Sequence, residues 1–128
     1  MTTPADELRQ AAALLRDKAA AATHEGRTRW ATGHTLGSRS PVVLDDPEQP
    51  SVLIETYAAR LESVNRYLAL LGPATGLAIA DWLDATAARL DRDAHPGWQA
   101  EVNPQALAVA RQILGTETAP AVTEELGR

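Results

Sequence analysis

The stretch YAARLESVNRYLALLGPATGLAIADWLDATAARL, residues 57–90, carries the most regular apolar spacing in the chain. Tyr57, Leu61, Val64, Leu68 and Leu71 recur at spacings of four and three, one face of an α-helix, and Gly72-Pro73 closes it. A second helix begins over Pro73 to Thr75 and runs to near Ala94. Gly76, Ile79, Ala80, Leu83, Ala87 and Leu90 share one of its faces, with Asp81, Asp84 and Arg89 among the remaining positions. The Gly72-Pro73-Ala74 link is short, so the two helices are predicted to pack as an antiparallel hairpin, and that hairpin is read as the core.

Upstream the period changes from helical to alternating. Trp30, Thr32, His34 and Leu36 alternate with Arg29, Ala31, Gly33 and Thr35, and Val42-Val43-Leu44 and Val52-Leu53-Ile54 are short β-branched runs. Gly37 to Pro41 and Asp45 to Pro50 suit turns, since proline and paired aspartates interrupt a ladder. A three-stranded antiparallel meander follows. It is marginal alone and needs a helix on one face.

Thr3-Pro4 with Asp6 and Glu7 reads as a helix start: a hydroxyl cap, proline at the first helical position, and carboxylates at the positive end of the backbone dipole. Leu8, Ala11, Ala12, Leu15, Ala19 and Ala22 form a stripe made mostly of alanine before Gly26 stops the helix. So little apolar area implies that this helix depends on a partner helix or lies loosely against the body. At the other end, Asp91 to Val102 reads as a loop in which Trp98 plugs the hairpin. Asn103-Pro104 caps a last helix carrying Leu107, Ala110, Ile113 and Leu114, and Gly115 ends it. The expected class is α+β: an N-terminal Ala-rich helix over 1–26, then an α+β core over 27–115 with the sheet in 27–55 and helices in 56–115. A tail over 116–128, poor in large apolar groups, is predicted to be flexible.

The chain has 128 residues, 45% hydrophobic and 23% charged, enough for one domain with its own core. It has no cysteine, which removes disulfides, thiol nucleophiles and zinc-thiolate sites and fits a cytoplasmic setting. No apolar run approaches the roughly 20 residues of a membrane span, and residues 1–15 are polar rather than signal-like. Alanine occupies 25 positions and Arg outnumbers Lys eleven to one, a bias produced by GC-rich codons. Residues 1–40 carry six basic and four acidic side chains; residues 41–128 carry six and thirteen. Direct nucleic-acid binding needs the opposite balance and is disfavoured.

Several segments resemble a group of small Ala-rich proteins of actinobacteria and their phages: the helix Leu8 to Thr23, the Trp-started sheet, Asn65-Arg66-Tyr67-Leu68-Ala69 before Gly72-Pro73, and Ala106 to Arg111. The most distinctive is Ala80-Asp81-Trp82-Leu83 within Leu77 to Asp84. Where members of that group lead from the first helix into a Gly-Pro-Trp turn, His24 to Arg29 precede Trp30 here, so the start of the sheet differs. The resemblance implies no catalytic motif and no cofactor. It implies a phage or prophage accessory protein that binds a host or phage protein.

The residues themselves offer little chemistry. Asp81, Asp84, Asp91 and Asp93 with His95 are rich in oxygen ligands, but their spacing lacks the glycine and distal glutamate of a calcium loop, and a solvated helix face is the simpler account. His24, His34 and His95 stand in separate segments, and Ser38, Ser40, Ser51 and Ser63 lack a Gly-x-Ser-x-Gly setting. Gly33 to Gly37 has no Gly-Lys-Ser/Thr and reads as a strand end.

Three functions stay open. The first is a non-enzymatic accessory protein that binds a protein partner, itself included as a homo-oligomer. Its surfaces would be the Trp82 flank, with Asp81 and Asp84 as rim, and the first helix at Leu15. The second is a small-ligand binder that sequesters a nucleotide-like anion through Arg27, Arg29, Trp30 and Arg39. The third is an acidic nucleic-acid mimic blocking a DNA-binding protein, which requires the carboxylates to be arrayed on one surface.

Overall fold

The computed structural model describes residues 2–35, 39–48, 52–55 and 61–115. The elements run in chain order as α1 (Pro4–Ala22), β1 (Ala31–His34), β2 (Pro41–Leu44), β3 (Val52–Glu55), α2 (Leu61–Leu70), α3 (Pro73–Asp93), a 3₁₀ turn (Pro96–Trp98), α4 (Gln99–Val102) and α5 (Pro104–Leu114). The fold is α+β, with a helix first, an antiparallel meander, a helical hairpin and short C-terminal helices. The tail predicted over 116–128, and the turn residues Gly37 and Ser38, lie outside the described residues. Two compact units form, one from Met1–Arg16 with Ile79–Arg128 and the other from Asp17–Ala78. The boundaries fall inside α1 and α3.

In the first unit the core is built largely of alanine. Ala5, Leu8, Ala11 and Ala12 of α1, Ala80, Leu83, Ala87 and Leu90 of α3, and Ala106 and Ala110 of α5 form one buried cluster, with Leu15, Ile79, Val109 and Ile113 packed against it. The thin stripe of α1 therefore belongs to the core of this unit. The partner it needs is supplied by α3 and α5, whose alanine and leucine side chains are buried in the same cluster.

The start of α1 is pinned as its sequence predicts. The Asp6 N–H donates to Thr3 Oγ1 at 3.1 Å, and the Thr3 N–H donates to Asp6 Oδ2 at 3.1 Å, a reciprocal capping pair. The Thr3 N–H and then the Thr3 hydroxyl, with a smaller contribution from Arg9, hold the Asp6 carboxyl below its ordinary value of 3.8. A carboxylate depressed in the folded state stabilises it above its unfolded pKa, and that contribution is lost as the pH falls through the lowered value. Thr3→Ala is expected to lower stability by about 1 kcal/mol at neutral pH. In urea titrations the gap to the wild type should narrow as the pH drops below 3.8; an unchanged midpoint at pH 7 would exclude the cap as a stabilising contact.

α5 is bounded as expected: Asn103 Oδ1 accepts the Ala106 N–H at 3.3 Å, and Gly115, at φ 69°, donates to Arg111 O at 2.8 Å. Between α3 and α5 the chain is more ordered than the loop read from sequence. Trp98 lies outside, 62% exposed, and the plug is Gln99. Fully buried, Gln99 accepts the Ala5 N–H through Oε1 at 3.0 Å. Its Nε2 donates to Leu90 O at 3.4 Å, Ala94 O at 3.4 Å and Asp91 Oδ1 at 3.3 Å. One amide thus satisfies an orphan donor at the start of α1 and carbonyls at the end of α3.

In the second unit the strand order is β1-β2-β3, all antiparallel. Val43 pairs with Ile54 and Leu44 with Val52, leaving Leu53 as an extra residue in β3. Val42 and Val43 of the central strand are buried, and α2 lies against β1 and β2. The hairpin is not the core that periodicity predicts. α2 buries Asn65 beneath it and leaves Val64, Tyr67, Leu68 and Leu71 exposed. Among the described residues no helix is long and apolar enough to cross a membrane.

Candidate functional site

Trp30 enters β1 with its indole against the turn between α2 and α3. A Cβ added at Gly72 would stand 3.0 Å from Trp30 Cγ, so glycine is what lets the ring lie flat on that turn. The Ala74 N–H, in the first turn of α3, donates to Thr28 O at 3.0 Å and ties the segment before β1 to the start of the helix. Between these fixed pieces opens a concavity of about 580 Å³. It is lined by Thr28 to Thr32 on one side, Arg66, Ala69 and Leu70 of α2 on another, and Gly72, Ala74 and Thr75 at the start of α3.

The four residues proposed from sequence as anion ligands separate here. Arg29 and Trp30 both line the concavity. Arg27 instead meets Asp45, Nη1 lying 3.2 Å from Oδ1 and 3.4 Å from Oδ2, and that carboxylate is buried. A buried carboxylate held by a guanidinium is a structural pair, since removing either partner leaves the other uncompensated. Arg39 is exposed, at φ 58°, and does not line the concavity. Arg66 does line it, and sequence reasoning missed it because only the docking of α2 on β1 and β2 carries position 66 toward position 29.

The proposed protein-interface residues are also distributed. Arg16 of α1 donates from Nη2 to Asp81 Oδ1 at 2.8 Å and from Nη1 to Asp84 Oδ2. The bonds to Asp81 and then Asp84 raise the Arg16 pKa above its ordinary value. Leu15 packs against the alanine core, and Trp82 is 41% exposed on α3. Two other acidic side chains of this unit are paired in the same way: Arg9 bonds Asp91, and Arg111 holds Glu7 at 3.0 and 3.2 Å. Among the described residues no three His, Asp or Glu side chains converge as a metal-binding group.

The chain matches no family model, no curated protein and no solved structure. Its own surfaces therefore carry the functional argument, and most of the exposed large apolar side chains among the described residues belong to the second unit. Val64, Tyr67, Leu68 and Leu71 stand at i, i+3, i+4 and i+7 along α2 and its last turn, all exposed, Tyr67 at 63%. All four residues of β3 are exposed as well, including Val52, Leu53 and Ile54. The spacing along α2 was legible as an apolar face. The polar Asn65 on the side of α2 turned to the sheet is the one sequence feature out of keeping with a helix buried by that face.

Proposed function

We propose that the chain is a non-enzymatic accessory protein that associates with a second copy of itself through α2 and β3 of the Asp17–Ala78 unit. The observation that carries this reading is the exposed seam Val64, Tyr67, Leu68 and Leu71. Apolar residues at that spacing form a full helical stripe, and a stripe left in water favours a second surface that covers it. β3 supports the same partner. It is an end strand of the sheet, and although it is short and interrupted by the extra residue at Leu53, Val52 to Glu55 carry neither proline nor lysine to block pairing at that edge.

A copy of this chain suits that edge. Two identical strands related by a two-fold axis run antiparallel, the sense in which β3 already pairs with β2. With the axis at mid-strand, Glu55 of one copy faces Val52 of the other, so the single charge of the strand never opposes itself. The Trp82 flank and α1 contribute less to this reading, because the α1 stripe is spent on the core and Asp81 and Asp84 are engaged by Arg16. Nucleic-acid mimicry draws little support from a surface on which Asp6, Glu7, Asp81, Asp84 and Asp91 are each paired with an arginine. The accessory role keeps the context implied by the resemblance to small phage-borne proteins.

Light scattering on the purified chain is expected to give twice the 13.7 kDa chain mass. Leu68→Asp combined with Leu53→Lys should return it to the single mass with an unchanged far-UV spectrum, since both positions are exposed. A strict monomer across the accessible concentration range would overturn the reading, as would a dimer indifferent to both substitutions.

A further inference from the structure

We infer that the concavity at Arg29, Trp30 and Arg66 is a binding site for a phosphate ester bearing a planar ring, of mononucleotide size. Its electrostatics run against the rest of the molecule. In a chain of net charge −5, the described residues that line this hollow include two arginines and no aspartate or glutamate. Arg29 makes no ion pair among the described residues. Arg66 meets Glu62 Oε2 at 3.3 Å across one helical turn, an exposed pair of the kind that a ligand can readily displace. Two arginines without strong competitors are suited to a phosphate, which accepts charge-assisted and bidentate hydrogen bonds from planar guanidinium groups.

The other walls supply the rest of such a ligand's needs. Thr28 and Thr32 bring hydroxyls, while the Thr75 hydroxyl donates to Leu70 O at 2.8 Å, and the first turn of the 21-residue α3 brings the positive end of its dipole. In that turn the Ala74 and Gly76 N–H groups are used by Thr28 O and Gly72 O. Trp30, Ala69 and Leu70 give an apolar side against which a ring can lie, and Gly72 holds the indole in place. The volume of about 580 Å³ falls within the range of small-ligand pockets. Phosphate donors at one part and an aromatic surface at another specify a ligand with both features.

The inference stands apart from self-association and is tested separately. Isothermal titration of the full chain would use adenosine monophosphate, adenosine, inorganic phosphate and a four-nucleotide single strand as probes. The mononucleotide is expected to bind at least about tenfold more tightly than adenosine or phosphate alone, each of which forfeits one set of contacts. Arg29→Gln with Arg66→Gln should weaken it at least about tenfold while leaving thermal unfolding unchanged, both side chains being exposed. Leu68→Asp with Leu53→Lys should leave it intact. No heat at millimolar mononucleotide, binding indifferent to the arginine pair, equal affinity for inorganic phosphate, or tighter binding of the strand would each overturn the assignment.

Discussion

Leu83→Ala is expected to lower the stability of the α1–α3–α5 unit by about 3 to 5 kcal/mol, the upper part of the range for buried leucines. Leu83 is fully buried, and its neighbours in the cluster are mainly Ala5, Ala11, Ala12, Ala80, Ala87, Ala106 and Ala110. A methyl group has no rotamer with which to move into a void, so the space left by the lost isobutyl group can close only if helices shift as bodies. That is the circumstance in which cavity cost adds most fully to lost transfer energy. Leu83→Met keeps the volume and should cost less than about 1.5 kcal/mol. Urea unfolding of the full chain, with hydrogen exchange to locate the loss in the amides of α1, α3 and α5, reads the difference. A change below about 1 kcal/mol for Leu83→Ala would mean that this side chain does not fill the space between those helices.

Gln99→Met is expected to cost about 2 to 4 kcal/mol although its volume is nearly conserved, because an unsatisfied buried polar group costs about 1 to 3 kcal/mol. The Ala5 N–H would lose its acceptor, and Ala94 O the amide that reaches it. Leu90 O is less affected, since it also accepts the Ala94 N–H at 2.9 Å. The first-turn amides of α1 should therefore exchange faster in the variant than those of α5. A variant as stable as the wild type, or one in which all helices lose protection equally, would contradict the hub described for Gln99.

These two sites differ in how far they could be read in advance. The α3 face of Ile79, Ala80, Leu83, Ala87 and Leu90 was visible as periodicity, and the three strands lie where β-branched runs and alternation put them. Thr3, Asn103 and Gly115 cap as their residue types require. Gln99 was hidden, because its bond to Ala5 spans 94 residues and follows no local rule. The same limit applied to α1 and α2. Periodicity identifies an apolar face without identifying what covers it, so the richer stripe of α2 reads as core and the alanine stripe of α1 as a helix that needs a partner or lies loosely against the body. Hydrophobic area favours the first, yet Ala5, Leu8, Ala11 and Ala12 of the second are the ones buried, among alanines of α3 and α5 that the local pattern does not bring to mind. At the candidate site, Arg29 and Trp30 were legible as a basic-aromatic pair, whereas Arg66 needed the helix–sheet docking, and Arg27 was lost to a buried aspartate that composition could not locate.

The division of the chain also sets an order of events during synthesis. The contacts that secure α1 reach to Asp91, Gln99 and Arg111, across 82, 94 and 104 residues. While a ribosome is still making α3, the nascent α1 has its alanines translated but no surface on which to lay them, whereas Asp17–Ala78 is already complete. α1 is thus made well before its fastening is complete: a chain stalled before residue 99 has the α3 face of the alanine cluster but neither the Gln99 amide nor the α5 face to hold that helix.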